Sequence, residues 1–408
     1  MKKSGWFNRK NKTSFLAAAV MVSLLISLCV LTACKPAISS EITAPGQTSS
    51  DKAAPARTTE PAASPTPQPP RSRPALIGTS PLTAVIGQPV SLLAGVHASD
   101  TVDGSLNDQI NISGIVDWLT PGTYELNYSV SNSAGLRQDA VRTVTVQDPY
   151  ADLRAANQIE ASPDPDIQRL LALTLDQLGS LTGQIGLVFE ELDSGRYFTI
   201  NDQRQFRSAS TAKLFVVMAL YEEIAAGRLA IDQTMTYTQA DYEVGSGILQ
   251  EMDLSQSYSL GTLADYAIRY SDNIAFHMII RIVGRDRVYD YYESVIGHPT
   301  NRSHTEMSAA DAGRLLRHLY QSDNPWFAHM LDVMRKTVFE QAIPGLLPPG
   351  TVSNKIGFYA EYFHDAAIVH DPRGAYILTI FTRDILVESG REPAELLAEL
   401  SLMINRQR

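Results

Sequence analysis

Short runs in which apolar and polar residues alternate fill the stretch from residue 75 to residue 148. The runs Tyr124–Val130 and Val141–Val146 show the two-residue period of a half-buried β-strand, and Val90–Leu93 is a shorter candidate. Turn-forming dipeptides separate the runs: Asp103-Gly104, Pro121-Gly122 and Ala134-Gly135. Several short strands in one such stretch predict a small all-β sandwich.

From residue 150 to residue 408 the pattern is mixed. Helical periodicity and short apolar runs predict helices at Asp166–Leu181, Thr211–Ala226 and Pro393–Asn405, further helices between residues 260 and 335, and strands at Ile185–Leu192, Arg196–Ile200, Ala366–Val369 and Tyr376–Thr382. Because strands lie at both ends with helices between them, we expect one sheet assembled from distant segments beside a helical subdomain.

The first 34 residues have the layout of a secretory signal. Basic residues between Lys2 and Lys12 precede the apolar run Phe15–Leu31. The run ends in Leu31-Thr32-Ala33-Cys34, which resembles the bacterial lipobox, and the resemblance implies that Cys34 becomes the lipidated first residue. An uncleaved membrane anchor is the alternative. Both predict an extracytoplasmic protein attached to the cell membrane, and with Cys29 removed the exported part has no disulfide.

Residues 35–74 are rich in Pro, Thr, Ser and Ala and show no apolar periodicity. Such a composition is typical of an extended linker, which could reach ~100 Å. The net charge of −10 argues against nucleic acid as a partner. The eight histidines lack metal-ligand spacing, and no phosphate-binding glycine loop is present, so we expect neither metal nor organic cofactor.

Ser210 and Lys213 are the first candidate chemical pair. They stand three residues apart at the start of an apolar helical stretch, so the lysine amine can reach the serine hydroxyl. A desolvated amine can take the proton of a serine and make it a nucleophile. The same spacing occurs at Ser49 and Lys52 in the linker, where we interpret it as chance.

Ser271-Asp272-Asn273 lies between two helical stretches, about sixty residues after Ser210. Ser271 would relay a proton to the leaving nitrogen and Asn273 would bind the substrate amide; a helix N-cap is the alternative role for Ser271. Ser322-Asp323-Asn324 repeats the triplet, but Pro325 follows it, so we favour the first copy.

Lys355-Ile356-Gly357 precedes a predicted strand. A lysine on an edge strand is commonly solvated. Beside a glycine that permits close backbone approach, Lys355 could instead bind a substrate carboxylate. His364 follows this segment, and we assign it a hydrogen bond at a strand end rather than a place in a catalytic triad.

Together, in this order, the three elements resemble the S-x-x-K, S-D-N and K-T-G set of class A β-lactamases and penicillin-binding proteins. The resemblance covers about residues 170–405 and implies a five-stranded antiparallel sheet beside a helical subdomain. It also implies an oxyanion hole built from the backbone N–H groups of Ser210 and Phe358. The segment Thr120–Gly135 resembles bacterial Ig-like surface modules, which implies a spacer or a wall-contacting role for residues 75–148.

Two departures from this family stand out. The loop that carries the deacylating Glu is missing between Gly284 and Ser308, where Glu293 and Glu306 are the only glutamates. Glu293 reads as part of a helix and Glu306 as a charge at a helix N-terminus. In the third motif Ile356 and Phe358 replace hydroxyl residues that would bind a substrate carboxylate, each such hydrogen bond being worth ~1.5–3 kcal/mol. We therefore expect acylation with slow deacylation.

The sequence thus predicts a multidomain, lipid-anchored cell-envelope serine hydrolase: a small Ig-like β-sandwich followed, over residues 150–408, by a β-lactamase/transpeptidase-like α/β (α+β) domain. Its substrate would be a β-lactam or a peptidoglycan-like amide. Two alternatives remain: a D-Ala-D-Ala carboxypeptidase or esterase using the same site, and a non-catalytic wall-binding protein that retains the fold.

Overall fold

The computed structural model describes residues 71–408. The predicted signal segment, Cys34, the Ser49–Lys52 pair and most of the predicted linker lie outside the described residues. Among residues 71–408, no helix combines the length and the apolar character that a membrane crossing requires.

The first domain consists of β-strands. Its strands are β1 (Ala75–Ile77), β2 (Leu82–Val85), β3 (His97–Asp100), β4 (Gly104–Ser105), β5 (Asn111–Ser113), β6 (Gly122–Ser131) and β7 (Arg137–Gln147). They form one sheet in the order β1-β3-β4 and another in the order β2-β7-β6-β5. Leu126, Tyr128 and Val144 are fully buried in its core. The predicted β-sandwich is therefore confirmed.

The prediction of a strand at Val90–Leu93 was wrong. This segment forms a turn, closed by hydrogen bonds from Ala94 N to Ser91 O and from Val96 N to Leu93 O. The buried Arg142 side chain donates to the carbonyls of Leu92 and Ala94. These carbonyls are thereby satisfied without a neighbouring strand, which removes the need for sheet pairing.

The second domain combines helices with a larger sheet. Its helices are α1 (Ala151–Ala156), α2 (Pro165–Leu178), α3 (Lys213–Ala225), α4 (Leu260–Arg269), α5 (Asn273–Val283), α6 (Arg285–Ile296), α7 (Ala309–Gln321), α8 (Pro325–Arg335), α9 (Ile385–Ser389) and α10 (Pro393–Gln407). Its strands are β8 (Ile159–Ala161), β9 (Ile185–Glu191), β10 (Tyr197–Ile200), β11 (Phe206–Arg207), β12 (Thr234–Thr236), β13 (Ser257–Ser259), β14 (Glu306–Met307), β15 (Val352–Tyr359), β16 (Tyr362–Val369) and β17 (Tyr376–Arg383).

The main sheet has the order β15-β16-β17-β9-β10-β8, and every pair in it is antiparallel. Strands from both ends of the domain meet at its centre, as the sequence pattern predicted. The sheet has six strands rather than the five expected from the resemblance. The extra strand, β8, lies just before α2 and pairs with β10 from Ile159 to Ala161.

Alternating residues of the sheet pack into two separate cores. Leu187 and Phe189 of β9 join α2 and α10 on one face, whereas Val188 joins the helices α3 to α8 on the other. This alternation is the two-residue period of a strand that is buried on both faces. Helix α3 is buried on every side from Leu214 to Tyr221, so its N-terminal end is fixed between the sheet and the helical subdomain.

Candidate active site

Ser210 lies in a tight turn that leads into α3. Residues Ala209–Ala212 form a single 3-10 turn, and α3 begins at Lys213 rather than at Thr211. Ala209 has a φ of 47°, a left-handed conformation that a residue with a side chain seldom adopts. In this arrangement Lys213 Nζ lies 2.9 Å from Ser210 Oγ. The structure thus brings the predicted nucleophile and base into contact.

The Lys213 ammonium group has little access to water. Lys213 is 3% exposed, and this burial lowers the pKa of its amine to about 8. The negative charges of Glu243 and Asp272 act in the opposite direction and raise the pKa. Nζ also donates to Asn273 Oδ1 at 2.8 Å and lies 5.2 Å from the centre of the Phe276 ring. A lysine with a lowered pKa is a competent base near neutral pH.

We expect the acylation rate of Ser210 to follow the titration of Lys213. Only the neutral amine can accept the serine proton, and the ammonium form dominates below its pKa of about 8. The rate should therefore rise about tenfold per pH unit below that value and level off above it. A stopped-flow pH profile with a neutral-side-chain penicillin measures this. A profile that is flat from pH 6 to pH 9 would exclude Lys213 as the titrating base.

Asp272 organises the second motif. Its carboxylate accepts hydrogen bonds from the backbone N–H groups of Ile248, Leu249 and Ala275, and it caps α5. The N-cap role considered for Ser271 therefore belongs to Asp272. Ser271 itself has a φ of 53° and is 1% exposed. Its side-chain oxygen accepts a hydrogen bond from Lys355 Nζ at 3.0 Å.

The second Ser-Asp-Asn triplet has a purely structural place. Ser322 is the C-cap of α7, and the side chain of Asn324 caps α8 by accepting from Trp326 N at 3.0 Å. None of the three residues lines the cavity around Ser210. The preference for the first copy agrees with this geometry.

Lys355 is buried rather than solvated. It is 1% exposed, and Nζ donates to Ser271 Oγ at 3.0 Å and to its neighbour's carbonyl, Ile356 O, at 2.9 Å. Burial and the nearby Lys213 charge hold the pKa of Lys355 well below its usual value. Lys355 does not line the cavity wall. The contact observed is therefore with the predicted relay Ser271, and a contact with substrate remains a prediction.

Gly357 allows β15 to touch the nucleophile turn. A Cβ atom at this position would stand 2.9 Å from Ser208 O and 2.9 Å from Thr211 N. Both neighbours are backbone atoms that cannot move aside cheaply. A side chain here would therefore push β15 away from Ser210, and with it Phe358, whose N–H is predicted to share the oxyanion hole.

His364 fixes the strand before the turn. The side chain is fully buried, which lowers the pKa of the imidazole to about 4. Its Nε2 donates to Arg207 O at 2.9 Å while Nδ1 accepts from Thr382 N at 3.1 Å. The neutral ring thus links β11 to β17 from the interior of β16. It is a positioning residue, in agreement with the prediction of a structural hydrogen bond.

A cavity of about 760 Å³ opens in front of Ser210. Its wall includes the predicted residues Ser210, Lys213, Asn273 and Phe358. The other predicted residues, Ser271, Lys355 and Gly357, lie behind this wall. Phe358 is 51% exposed at the position where the family has a hydroxyl, so this part of the wall is apolar.

The three glutamates near the site have different surroundings. Glu293 accepts from Arg302 and Thr300, which lower the pKa of its carboxyl to about 2, so it anchors the shortened loop. Glu306 was wrongly interpreted as a helix-end charge: it lies on β14 and lines the cavity, whereas Asp311 occupies the first turn of α7. Glu243, which the sequence analysis missed, also lines the cavity and contacts His277.

Glu243 precedes the second motif, whereas the family's deacylating Glu follows that motif. The proximity of Glu243 to a glycine-rich turn, Gly245–Gly247, was the available signal.

Over residues 71–408, no three His, Cys, Asp or Glu side chains cluster in a way that could hold a metal ion.

Comparison with known proteins gives the same fold. The chain is similar to a beta-lactamase from Sphaerobacter thermophilus DSM 20745 at 21% identity, covering 58% of this chain and 95% of that one with a TM-score of 0.52. It is similar to PBP-A at 24% identity, with coverage of 58% and 95% and a TM-score of 0.52. An ancestral class A beta-lactamase matches at 19% identity, with coverage of 58% and 100% and a TM-score of 0.52.

Two family descriptions match the sequence. Residues 74–146 match the Ig-like domain of bacterial surface proteins. Residues 166–407, more than half of the chain, match the beta-lactamase enzyme family. The predicted order of the two domains is therefore confirmed, and with it the class of enzyme. The chain is a member of the beta-lactamase enzyme family, a serine hydrolase that carries an Ig-like domain ahead of the catalytic one.

Proposed function

We propose that this hydrolase is acylated at Ser210 by β-lactams or by peptidoglycan-like amides, and that it releases the acyl group slowly. The observation that carries the proposal is the 2.9 Å contact between Ser210 Oγ and a buried Lys213 whose pKa is about 8. A hydroxyl beside a neutral amine can attack a carbonyl at neutral pH.

The roles of the other residues follow from their contacts. As Ser210 Oγ bonds to the carbonyl carbon, its proton passes to Lys213. The C–N bond then breaks, and Ser271 delivers its proton to the leaving nitrogen while Lys355 Nζ supplies a replacement proton to Ser271 Oγ. Lys355, which donates to Ser271 Oγ, keeps that hydroxyl oriented and favours proton release. The N–H groups of Ser210 and Phe358 would stabilise the oxyanion, and Asn273 would bind the substrate amide.

Slow deacylation is supported by the surroundings of the available glutamates. Glu293 is held as a carboxylate by Arg302 and lies outside the cavity wall. Glu306 and Glu243 line the cavity, yet neither contacts Ser210 or Lys213 through a hydrogen bond. A hydrolytic water needs a base within hydrogen-bond reach. A similar protein, a single-site mutant of PBP-A, is described as an acyl-enzyme complex with penicillin G.

We also propose that the chain is exported and lipid-anchored at Cys34. The linker of residues 35–74 would then let the catalytic domain reach into the cell wall, where the Ig-like domain would make contact. Labelling with a radioactive fatty acid tests the anchor, and Cys34→Ala should abolish the label. Labelling that persists in this variant would overturn the assignment.

A D-Ala-D-Ala carboxypeptidase or esterase is the second candidate. It is favoured by the half-exposed Phe358, which offers a substrate an apolar surface in place of a hydroxyl. Such a wall suits the esterase form of this candidate, because an ester can lack the carboxylate that the leaving group of a D-Ala-D-Ala peptide shares with the ring of a penicillin. Turnover of a D-Ala-D-Ala peptide or ester without hydrolysis of penicillin would support this candidate.

Intact-protein mass spectrometry of residues 75–408 with benzylpenicillin tests the first proposal. We expect a stable adduct of one penicillin mass, which Ser210→Ala should abolish. Loss of the drug without an adduct would mean fast turnover and would contradict slow deacylation. An intact drug with no adduct would contradict β-lactam acylation, and inertness to esters and peptides as well would favour a wall-binding protein.

A further inference from the structure

Two opposite charges lie side by side on the cavity wall. Arg207 of β11 is the direct antiparallel partner of Glu306 of β14. The adjacent pair, Phe206 and Met307, is buried in the core on one side of this ribbon. Because side chains alternate along a strand, Arg207 and Glu306 both point to the other side. That side is the cavity, which both residues line.

Neither charged group is paired with an opposite charge of the protein. Within the described residues 71–408, the Arg207 guanidinium and the Glu306 carboxylate form no ion pair and no hydrogen bond, with each other or with another side chain. The Arg207 guanidinium is nevertheless held in place, because it stacks over the Tyr359 ring at 4.1 Å. Its backbone is held too, by the His364 hydrogen bond to its carbonyl. An oriented guanidinium with free donors suits a planar carboxylate.

The pair lies at one particular end of the cavity. The Lys355–Ser271 contact marks the end at which the leaving nitrogen would receive its proton. The ring of Tyr359 stacks against Arg207. Tyr359 lies four residues after Lys355 on β15, which is ~13 Å at 3.3 Å per residue. Ser210 lies between the two ends, in the turn that contacts Gly357. The Arg207–Glu306 end therefore faces the acyl part of a substrate.

We infer that Arg207 and Glu306 form a subsite for an amino-acid zwitterion at the end of the substrate's acyl side chain. Arg207 binds the carboxylate, and Glu306 binds the ammonium group attached to the same carbon. Charge complementarity supports this occupant over a purely anionic or purely apolar one, because one charge of each sign is available at neighbouring positions. The inference rests on the proposed acylation of Ser210.

Three penicillins that differ only at the end of the acyl chain test the subsite. One carries a D-α-aminoadipyl chain with both charges, one an adipyl chain with the carboxylate alone, and one a neutral chain of similar length. We expect the second-order rate of acylation to fall in that order, with about a tenfold or larger advantage of the zwitterion over the neutral chain. Mass spectrometry of the intact acyl-enzyme gives each rate.

Two variants assign the two contacts. Arg207→Gln should remove the faster acylation of the adipyl penicillin over the neutral one. Glu306→Gln should remove the further increase in rate that the ammonium group of the aminoadipyl penicillin gives. Each effect is measured as a ratio to the neutral penicillin on the same variant, so that general damage to the site cancels. Arg137→Gln, an exposed change in the Ig-like domain, is the control and should keep the wild-type ratios.

The outcomes separate this inference from the function on which it rests. Equal rates for the three penicillins in the wild type would overturn the subsite and leave Ser210 acylation standing. Ratios unchanged in both variants would overturn the assignment to Arg207 and Glu306. Absence of any adduct with all three compounds would overturn the proposed acylation and the subsite together.

Discussion

Lys213→Met is expected to slow acylation of Ser210 by about 10²–10⁴-fold, the usual contribution of a positioned general base. The variant removes the amine that lies 2.9 Å from Ser210 Oγ but keeps the length and apolar volume of the side chain. We also expect it to unfold at the same or a higher temperature. Burial lowers the pKa of Lys213 to about 8, which means that burying its charged form costs free energy at pH 7.

The measurement is the rate of adduct formation together with a thermal melt. Lys336→Met is the matched control, because Lys336 is exposed and pairs with Asp332; it should leave the rate unchanged. An unchanged rate in Lys213→Met would contradict the assigned role and direct attention to Lys355. A large loss of stability would mean that the rate cannot be interpreted as loss of a base alone.

Asp272→Ala is expected to lower the free energy of unfolding by at least about 3 kcal/mol. The change leaves the backbone N–H groups of Ile248, Leu249 and Ala275 without their acceptor, and each unsatisfied buried group costs ~1–3 kcal/mol. Gly247 packs directly against this carboxylate, where an added Cβ would approach within 2.3 Å of Asp272 Oδ2. Loss of the carboxylate should therefore detach the loop at Ile248 from the start of α5.

The chain offers its own control for this prediction in the second Ser-Asp-Asn triplet. Asp323 is exposed and makes no side-chain hydrogen bond among the described residues, so Asp323→Ala should change stability by less than about 0.5 kcal/mol. Urea titrations of both variants give the two values. Similar costs for the two substitutions would contradict the claim that Asp272 organises the site through its three hydrogen bonds.

The two predictions describe the two parts of the machinery. Lys213 supplies the chemistry, and Asp272 holds the segment that carries Ser271 and Asn273. Both depend on burial: the same exclusion of water that lowers the pKa of Lys213 makes the hydrogen bonds of Asp272 costly to lose. Ser271 is the chain neighbour of Asp272 and contacts Lys355, so a change at either residue should alter the position of the Ser271 hydroxyl.

Much of the architecture was predictable because it depends on local periodicity. The alternation at Tyr124–Val130 and Val141–Val146 gave two strands that the structure contains within β6 and β7. The apolar stretch after Ser210 gave α3, although its first turn is 3-10 rather than α-helical. The exception at Val90–Leu93 arose because a distant side chain, Arg142, satisfies the backbone there. Periodicity within a short window cannot detect such a partner.

The sequence by itself determined the domain order, the family and the identity of the motif residues, because these depend on residue types at fixed spacings. Only the tertiary structure decided their surroundings. It decided that Lys355 is buried against Ser271 and that Glu306 lies on a strand facing the cavity beside Arg207. Burial and pairing between residues about 100 positions apart depend on how the sheet and helices pack, and no local pattern carries that information.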